Sequence, residues 1–226
     1  MSIPMIVFVV AYVAVTIAYL FSETSGNFKR RAINKIFLAS MFLIYAIVEL
    51  IHYKTFGTIQ MICMLGVFFA FLGDVLLLWD FVKGGTSFCI GNIFFIVYLN
   101  LYLRAQGFDF SDFGIYTTIL VAIPVVAETM LIYKNNWFPY LKDKLKPSIV
   151  FYILTVTIHG MLGLVSIFLM QDIKTLLLGL GLALFMVSDY FIIVHKFKNK
   201  ESKLILRCNS STYFIGLMLV ALSFSF

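Results

Sequence analysis

Charge is scarce in this chain. Asp, Glu, Lys and Arg make up 12% of its 226 residues, and hydrophobic residues make up 62%. Soluble domains run at about 25% charged and about 45–50% apolar. The mean hydropathy of +1.01 points the same way. No polar stretch is long enough to form a separate soluble domain. The expectation is one integral membrane domain over residues 1–226. A formal net charge of +6 would suggest a nucleic-acid partner in a soluble protein. Here it has a simpler source in the loops, and no nucleic acid is expected.

The usual motifs for cofactors and nucleophiles are also absent. Cys63, Cys89 and Cys208 share no CxxC or metal-ligand spacing and read as packed thiols. His52, His159 and His195 fall at the outer face, mid-membrane and cytoplasmic edge of their runs, with no HxxxH or HExxH among them. Zinc needs ligands converging at about 2 Å from one ion, so no metal and no cofactor are expected. Gly-x-Ser-x-Gly, P-loop and GxGxxG stretches are missing. The N-terminal segment has no basic n-region and no small-residue cleavage site. It reads as a first membrane helix rather than a signal peptide.

What is present is a series of long apolar runs. A helix needs about 20 apolar residues to span the hydrocarbon. Eight runs qualify, near 4–22, 33–52, 58–80, 86–104, 113–133, 148–170, 173–195 and 207–225. The expected fold class is all-α, a polytopic bundle of eight transmembrane helices. The longest connections are 22–32 and 134–147. Of the 17 Lys and Arg, fourteen fall in odd-numbered loops, leaving only Lys54, Arg104 and Lys174 on the other side. The positive-inside rule then puts the odd loops in the cytoplasm and both termini outside. The expected location is a bacterial cell membrane.

Two aspartates interrupt the apolar runs, Asp74 in Leu72-Gly73-Asp74-Val75-Leu76 and Asp189 in Val187-Ser188-Asp189-Tyr190-Phe191. A carboxylate in hydrocarbon costs a few kcal/mol or more, so its default reading is functional. Both lie about 9 Å inside the cytoplasmic boundary, at about 1.5 Å per residue, on helices that run the same way. Asn92, Glu128 and Tyr213 fall at similar depth and complete an expected polar layer. Ser188 faces a different side of its helix from Asp189 and reads as bonding its own backbone or a neighbour. Asp80, beside Trp79, reads as a solvated interfacial residue. Aligning Asp74 with Asp189 also aligns Gly66 with Gly181, which suggests a four-plus-four parallel pseudo-repeat.

These stretches resemble a known family. Phe71 to Leu77 is similar to the Gly-Asp motif of the YhhN-like family, the lysoplasmalogenases. Gly181 to Asp189 resembles its second motif, Gly-Ala-x-x-Phe-x-x-Ser-Asp. Phe88, Gly91, Phe95 and Tyr102 resemble its fourth-helix pattern, and Thr212-Tyr213-Phe214 its last-helix motif. The chain departs from the pattern at Leu99, where the family has His, at Leu217, where it has Gln, and at Lys35-Ile36, where it has Lys-Pro.

The resemblance implies hydrolysis of the vinyl ether of a lysoplasmalogen, a lysophospholipid, to a fatty aldehyde and a glycerophospho-alcohol. Asp74 and Asp189 would be the catalytic pair, with Asn92, Glu128, Ser188 and Tyr213 around the substrate. Such a reaction needs one protonated acid and one ionised carboxylate, and the sequence does not say which aspartate is which. Lys83, Lys196, Lys198 and Arg207 are candidates to meet the lipid phosphate. The implied partners are the lipid substrate and membrane lipids. A proton-coupled transporter and a non-catalytic lipid-binding relative remain open alternatives.

Overall fold

Hydrocarbon offers no partner to a bare backbone N–H or C=O, so each spanning run must close its own hydrogen bonds as a helix. The computed structural model, which describes residues 3–53, 57–134 and 137–226, has this arrangement. Its helices are α1 (Ile3–Glu23), α2 (Phe28–His52), α3 (Thr58–Leu77), α4 (Phe81–Ala105), α5 (Phe110–Tyr133), α6 (Lys146–Met170), α7 (Ile173–Phe197) and α8 (Lys203–Leu222). All eight are long and apolar enough to cross a membrane. Met1, Ser2 and Lys54, which enter the leader and charge readings, lie outside the described residues.

Several helices begin earlier than hydropathy predicts, and the reason is capping. The expected loop 22–32 shrinks to residues 24–27, because Asn27 Oδ1 accepts the Arg30 N–H at 3.0 Å and starts α2 there. The basic residues that follow are a helical turn rather than a loop. Asp80 Oδ1 accepts the backbone N–H of Val82 at 2.8 Å and of Lys83 at 3.0 Å, starting α4 at Phe81. Those bonds hold the Asp80 carboxyl below the usual carboxylate range. Ser202 caps α8 in the same way, accepting from Ile205 N–H at 3.3 Å. Polar residues outside the apolar run satisfy orphan N–H groups, so hydropathy cannot see the helix start.

Helix packing in a membrane depends on close fit rather than on hydrophobic drive, and small residues permit it. Two hairpins use the same device. In α3/α4, a Cβ on Gly91 would lie 3.1 Å from the Gly66 carbonyl oxygen, and one on Gly66 would strike the Phe95 ring. In α7/α8, a Cβ on Gly216 would lie 2.7 Å from the Gly181 carbonyl oxygen, and one on Gly181 would strike Val220. The spacing of 115 residues that relates Asp74 to Asp189 thus also relates Gly66 to Gly181. A spacing of 125 relates their partners, Gly91 to Gly216 and Phe95 to Val220. The repeat suggested by the sequence has a structural counterpart in these two hairpins.

The remaining helices complete the bundle around them. α1 and α2 pack on each other and on α8, α2 also packs on α3, and α6 packs on α4, α5 and α7. Tyr12 on α1 donates to the Phe214 carbonyl on α8 at 3.0 Å. α5 is peripheral and leaves Ile115, Ile119, Ile123, Val126 and Met130 uncovered by protein, as a lipid-facing helix should.

Candidate active site

α3 and α7 are not extensively packed partners, yet Asp74 and Asp189 line one cavity of about 390 Å³. Both carboxylates are buried, at 1% and 4% exposure, and they are close enough to interact electrostatically. The cavity runs between the α1/α2 end, with Tyr19, Glu23, Arg31 and Lys35, and an α6/α7 end, with Ile149, Ile192 and Ile193. Cations line both ends, Arg31 and Lys35 at the first and Lys196, one turn from Ile192, at the second. The aspartates lie on the wall shared by both.

The residue types beside each aspartate explain its placement. Gly73 carries no Cβ, which would otherwise fall 2.6 Å from the Phe88 ring. Phe88 therefore lies flat against α3 and forms part of the cavity wall. Its ring meets Tyr213 edge-on at 5.8 Å, and Phe185 packs edge-on against both, at 5.9 and 5.2 Å. Ser188 is buried, and its hydroxyl returns to the Phe185 carbonyl at 2.7 Å. It bonds its own helix, one of the two roles expected from sequence. Its carbonyl accepts the Asn209 amide at 2.8 Å, tying α7 to α8.

The two aspartates have different partners. Asp74 Oδ1 lies 3.2 Å from Lys35 Nζ, and its Oδ2 accepts the Tyr213 hydroxyl at 2.7 Å. Asp189 Oδ2 accepts the Tyr152 hydroxyl at 2.6 Å. Among the described residues Asp189 forms no salt bridge. Asp74 is thus an ion-paired carboxylate, while Asp189 has a neutral donor alone. A buried charge without a counter-ion is costly, and in this respect the two acids differ.

The other candidates divide. Tyr213 joins the site directly. Asn92 is fully buried on α4, but it does not line the cavity, and neither side-chain atom has a partner among the described residues. Its depth agrees with the expected layer, and it shares a face of α4 with Phe88, one turn along, but it lies beyond the cavity lining. Glu128 is half-buried on peripheral α5 and interacts with Tyr190, not with the aspartates. Glu128 thus stands apart from the aspartates, and Asn92 lies outside the cavity lining. Asp80 caps α4 rather than standing merely solvated. Of the four cations matched to a phosphate, Lys196 lines the cavity, and its Nζ lies 5.1 Å from the Phe81 ring centroid. Lys198 covers the Trp137 ring at 3.5 Å, Arg207 donates to Thr24 at 2.9 Å, and Lys83 lies outside the lining.

Sequence reasoning misses Lys35, Tyr152 and Glu23 as site residues. It groups Lys35 with the loop cations, and it leaves Glu23 one residue beyond a predicted helix end. A lysine two residues inside an apolar run, facing an aspartate on the next helix, is a charge-pair signal. Tyr152 carries none, since one tyrosine in an apolar helix looks like any other. His195 also lines the cavity, whereas His159 is buried between Phe95 and Phe185. Among the described residues no group of three or more His, Cys, Asp and Glu is arranged to hold a metal ion.

The model of the YhhN family matches residues 30–224. The chain belongs to the YhhN family. The match takes in Lys35, Asp74, Tyr152, Asp189 and Tyr213, so the cavity's paired acids and their partners all fall inside the YhhN region. Tyr19 and Glu23, on α1, precede it. No curated protein and no solved structure matches the chain.

Proposed function

We propose that this YhhN-family protein is an intramembrane hydrolase of the lysoplasmalogenase type, cleaving the vinyl ether of a single-chain phospholipid. The observation that carries the reading is the unlike pair of acids on one cavity wall, Asp74 beside Lys35 and Asp189 without a cation. Vinyl ether hydrolysis needs a proton donor to carbon, and a second, ionised carboxylate favours the cation and the attacking water. Asp189, as the acid, protonates the β-carbon of the alkenyl chain, and the α-carbon becomes an oxocarbenium centre. Asp74, as the carboxylate, faces that positive charge and takes a proton from the water that attacks the α-carbon. The hemiacetal then collapses, its hydroxyl proton passing to the departing glycerol oxygen, and an aldehyde is released. Proton transfer from Asp74 to Asp189 resets the site. Paired carboxylates around an oxocarbenium-like centre solve the related problem of glycoside hydrolysis.

The cavity's two ends suit the ligand. Ile149, Ile192 and Ile193 offer an apolar wall to the chain, and Arg31 and Lys35 offer cations to the phosphate. With the odd loops cytoplasmic, the head group would enter from the cytoplasmic leaflet of a bacterial membrane. Aldehyde release from a lysoplasmalogen by the purified protein tests the proposal. Asp74→Asn and Asp189→Asn are each expected to abolish it. Turnover surviving both substitutions would overturn the assignment.

A further inference from the structure

Glu23 is a carboxylate that the reaction above does not use. It stands at the end of α1, 7% exposed, and lines the cavity. Its two oxygens differ. Oε1 accepts the Tyr19 hydroxyl at 2.9 Å and the Ser210 hydroxyl at 2.6 Å. Oε2 is buried with no hydrogen-bond partner among the described residues. Arg31 and Lys35 are near enough to interact with the carboxylate electrostatically, yet neither forms a salt bridge with it. Two donors on separate helices, Tyr19 on α1 and Ser210 on α8, fix the group while leaving one oxygen free. A buried acceptor left open is expensive, and native structures rarely leave one without a role.

We infer that Glu23 Oε2 accepts a hydrogen bond from a donor on the polar end of the lipid ligand, making Glu23 a specificity-determining residue. The inference deepens the proposed function and rests on it for the ligand class, a single-chain polar lipid. Two groups on such a lipid donate, the free glycerol hydroxyl and a primary ammonium in the head group. Either would meet the oxygen at the α1/α2 end of the cavity. The chain would then lie toward Ile149 and Ile193, and the phosphate near Arg31 and Lys35. A site built around a ligand donor rejects analogues lacking it, because the acceptor is then left buried and unpaired.

The test is equilibrium binding of saturated, uncleavable alkyl-ether lysophospholipids to the protein in nanodiscs. Four ligands are compared: ethanolamine and choline head groups, each with a free or a methylated glycerol hydroxyl. Wild type is expected to bind the fully donating ligand about ten- to a hundredfold more tightly than the one lacking both donors. Glu23→Gln is expected to shrink that ratio toward one. Loss on hydroxyl methylation alone assigns the glycerol hydroxyl, and loss on N-trimethylation alone assigns the ammonium. Equal wild-type affinity for all four ligands overturns the inference, as does a Glu23→Gln loss uniform across them. If Glu23→Gln fails to fold, Glu23→Asp takes its place in the comparison, and equal wild-type affinity for all four ligands still overturns the inference. Binding needs no turnover, so failed aldehyde release leaves this result standing, and indifference to donors leaves hydrolysis standing.

Discussion

Lys35 Nζ lies 3.2 Å from Asp74 Oδ1, with only a tenth of the lysine side chain exposed. This buried ion pair joins α2 to α3 and sets the charge of one acid. Lys35→Met should therefore affect both stability and chemistry. Leaving a buried charge unpaired costs about 3–5 kcal/mol, which thermal melts in detergent would register. Adding Asp74→Asn to Lys35→Met should recover most of that loss without restoring aldehyde release. A single Lys35→Met variant with wild-type melting and turnover would show that the ion pair governs neither.

Tyr152 and Tyr213 each donate to one aspartate, at 2.6 and 2.7 Å. Tyr152→Phe and Tyr213→Phe keep the rings and delete only the donors. Hydrogen bonds to charged groups are worth about 1.5–3 kcal/mol, so kcat should fall about tenfold or more if both bonds matter in the transition state. In Tyr213→Phe the remaining ring keeps its edge-on contacts with Phe88 and Phe185, so folding should survive. Steady-state kinetics on the two variants, with melting as a control, would separate the donor role from packing.

The Gly181–Gly216 contact offers a structural test. A Cβ on Gly181 falls 2.6 Å from the Gly216 carbonyl oxygen, whereas one on Gly85 meets nothing within 4 Å. Gly181→Ala should separate α7 from α8 and lower stability by about 1–3 kcal/mol. Gly85→Ala, in the interior of α4, should be neutral or stabilising by up to about 1 kcal/mol. The two melting temperatures should move in opposite directions or, at the least, differ clearly.

Asp80 supplies a pH dependence. Its carboxyl is held below the usual range by the backbone N–H groups of Lys83 and Val82. A depressed value stabilises the fold above the unfolded carboxylate value, about 3.9, and the gain fades as pH falls through the lower folded value. Wild type should therefore melt above Asp80→Ala at neutral pH. The gap should narrow below about pH 4.

The site is readable from sequence in proportion to how much of it depends on depth. Asp74, Asp189 and Tyr213 can be found because hydropathy fixes position along a helix, and a carboxylate within an apolar run is conspicuous. Rotation about the helix axis and the order of neighbours are not encoded that way. Asn92 shares the face of Phe88 on α4, but the packed rings around it leave it outside the cavity lining. Glu128 sits on α5, which packs on the outside of α6 and cannot bring it to the aspartates. Lys35 looks like a loop residue because it closely follows the basic run 29–31, and Glu23 because it falls one residue past the first apolar run. Hydropathy makes their charges look solvated, while the fold buries them.

The two acids stand on separate glycine-seamed hairpins, and α3 is not extensively packed on α7. The gap between the carboxylates is therefore a lateral dimension of the bundle, unsupported by any backbone hydrogen bond. Each helix can stay intact while that gap widens. Turnover should thus respond to bilayer thickness, lateral pressure and choice of detergent well before circular dichroism reports any loss of helix. For this protein, catalytic rate would serve as a strain gauge of the membrane around it.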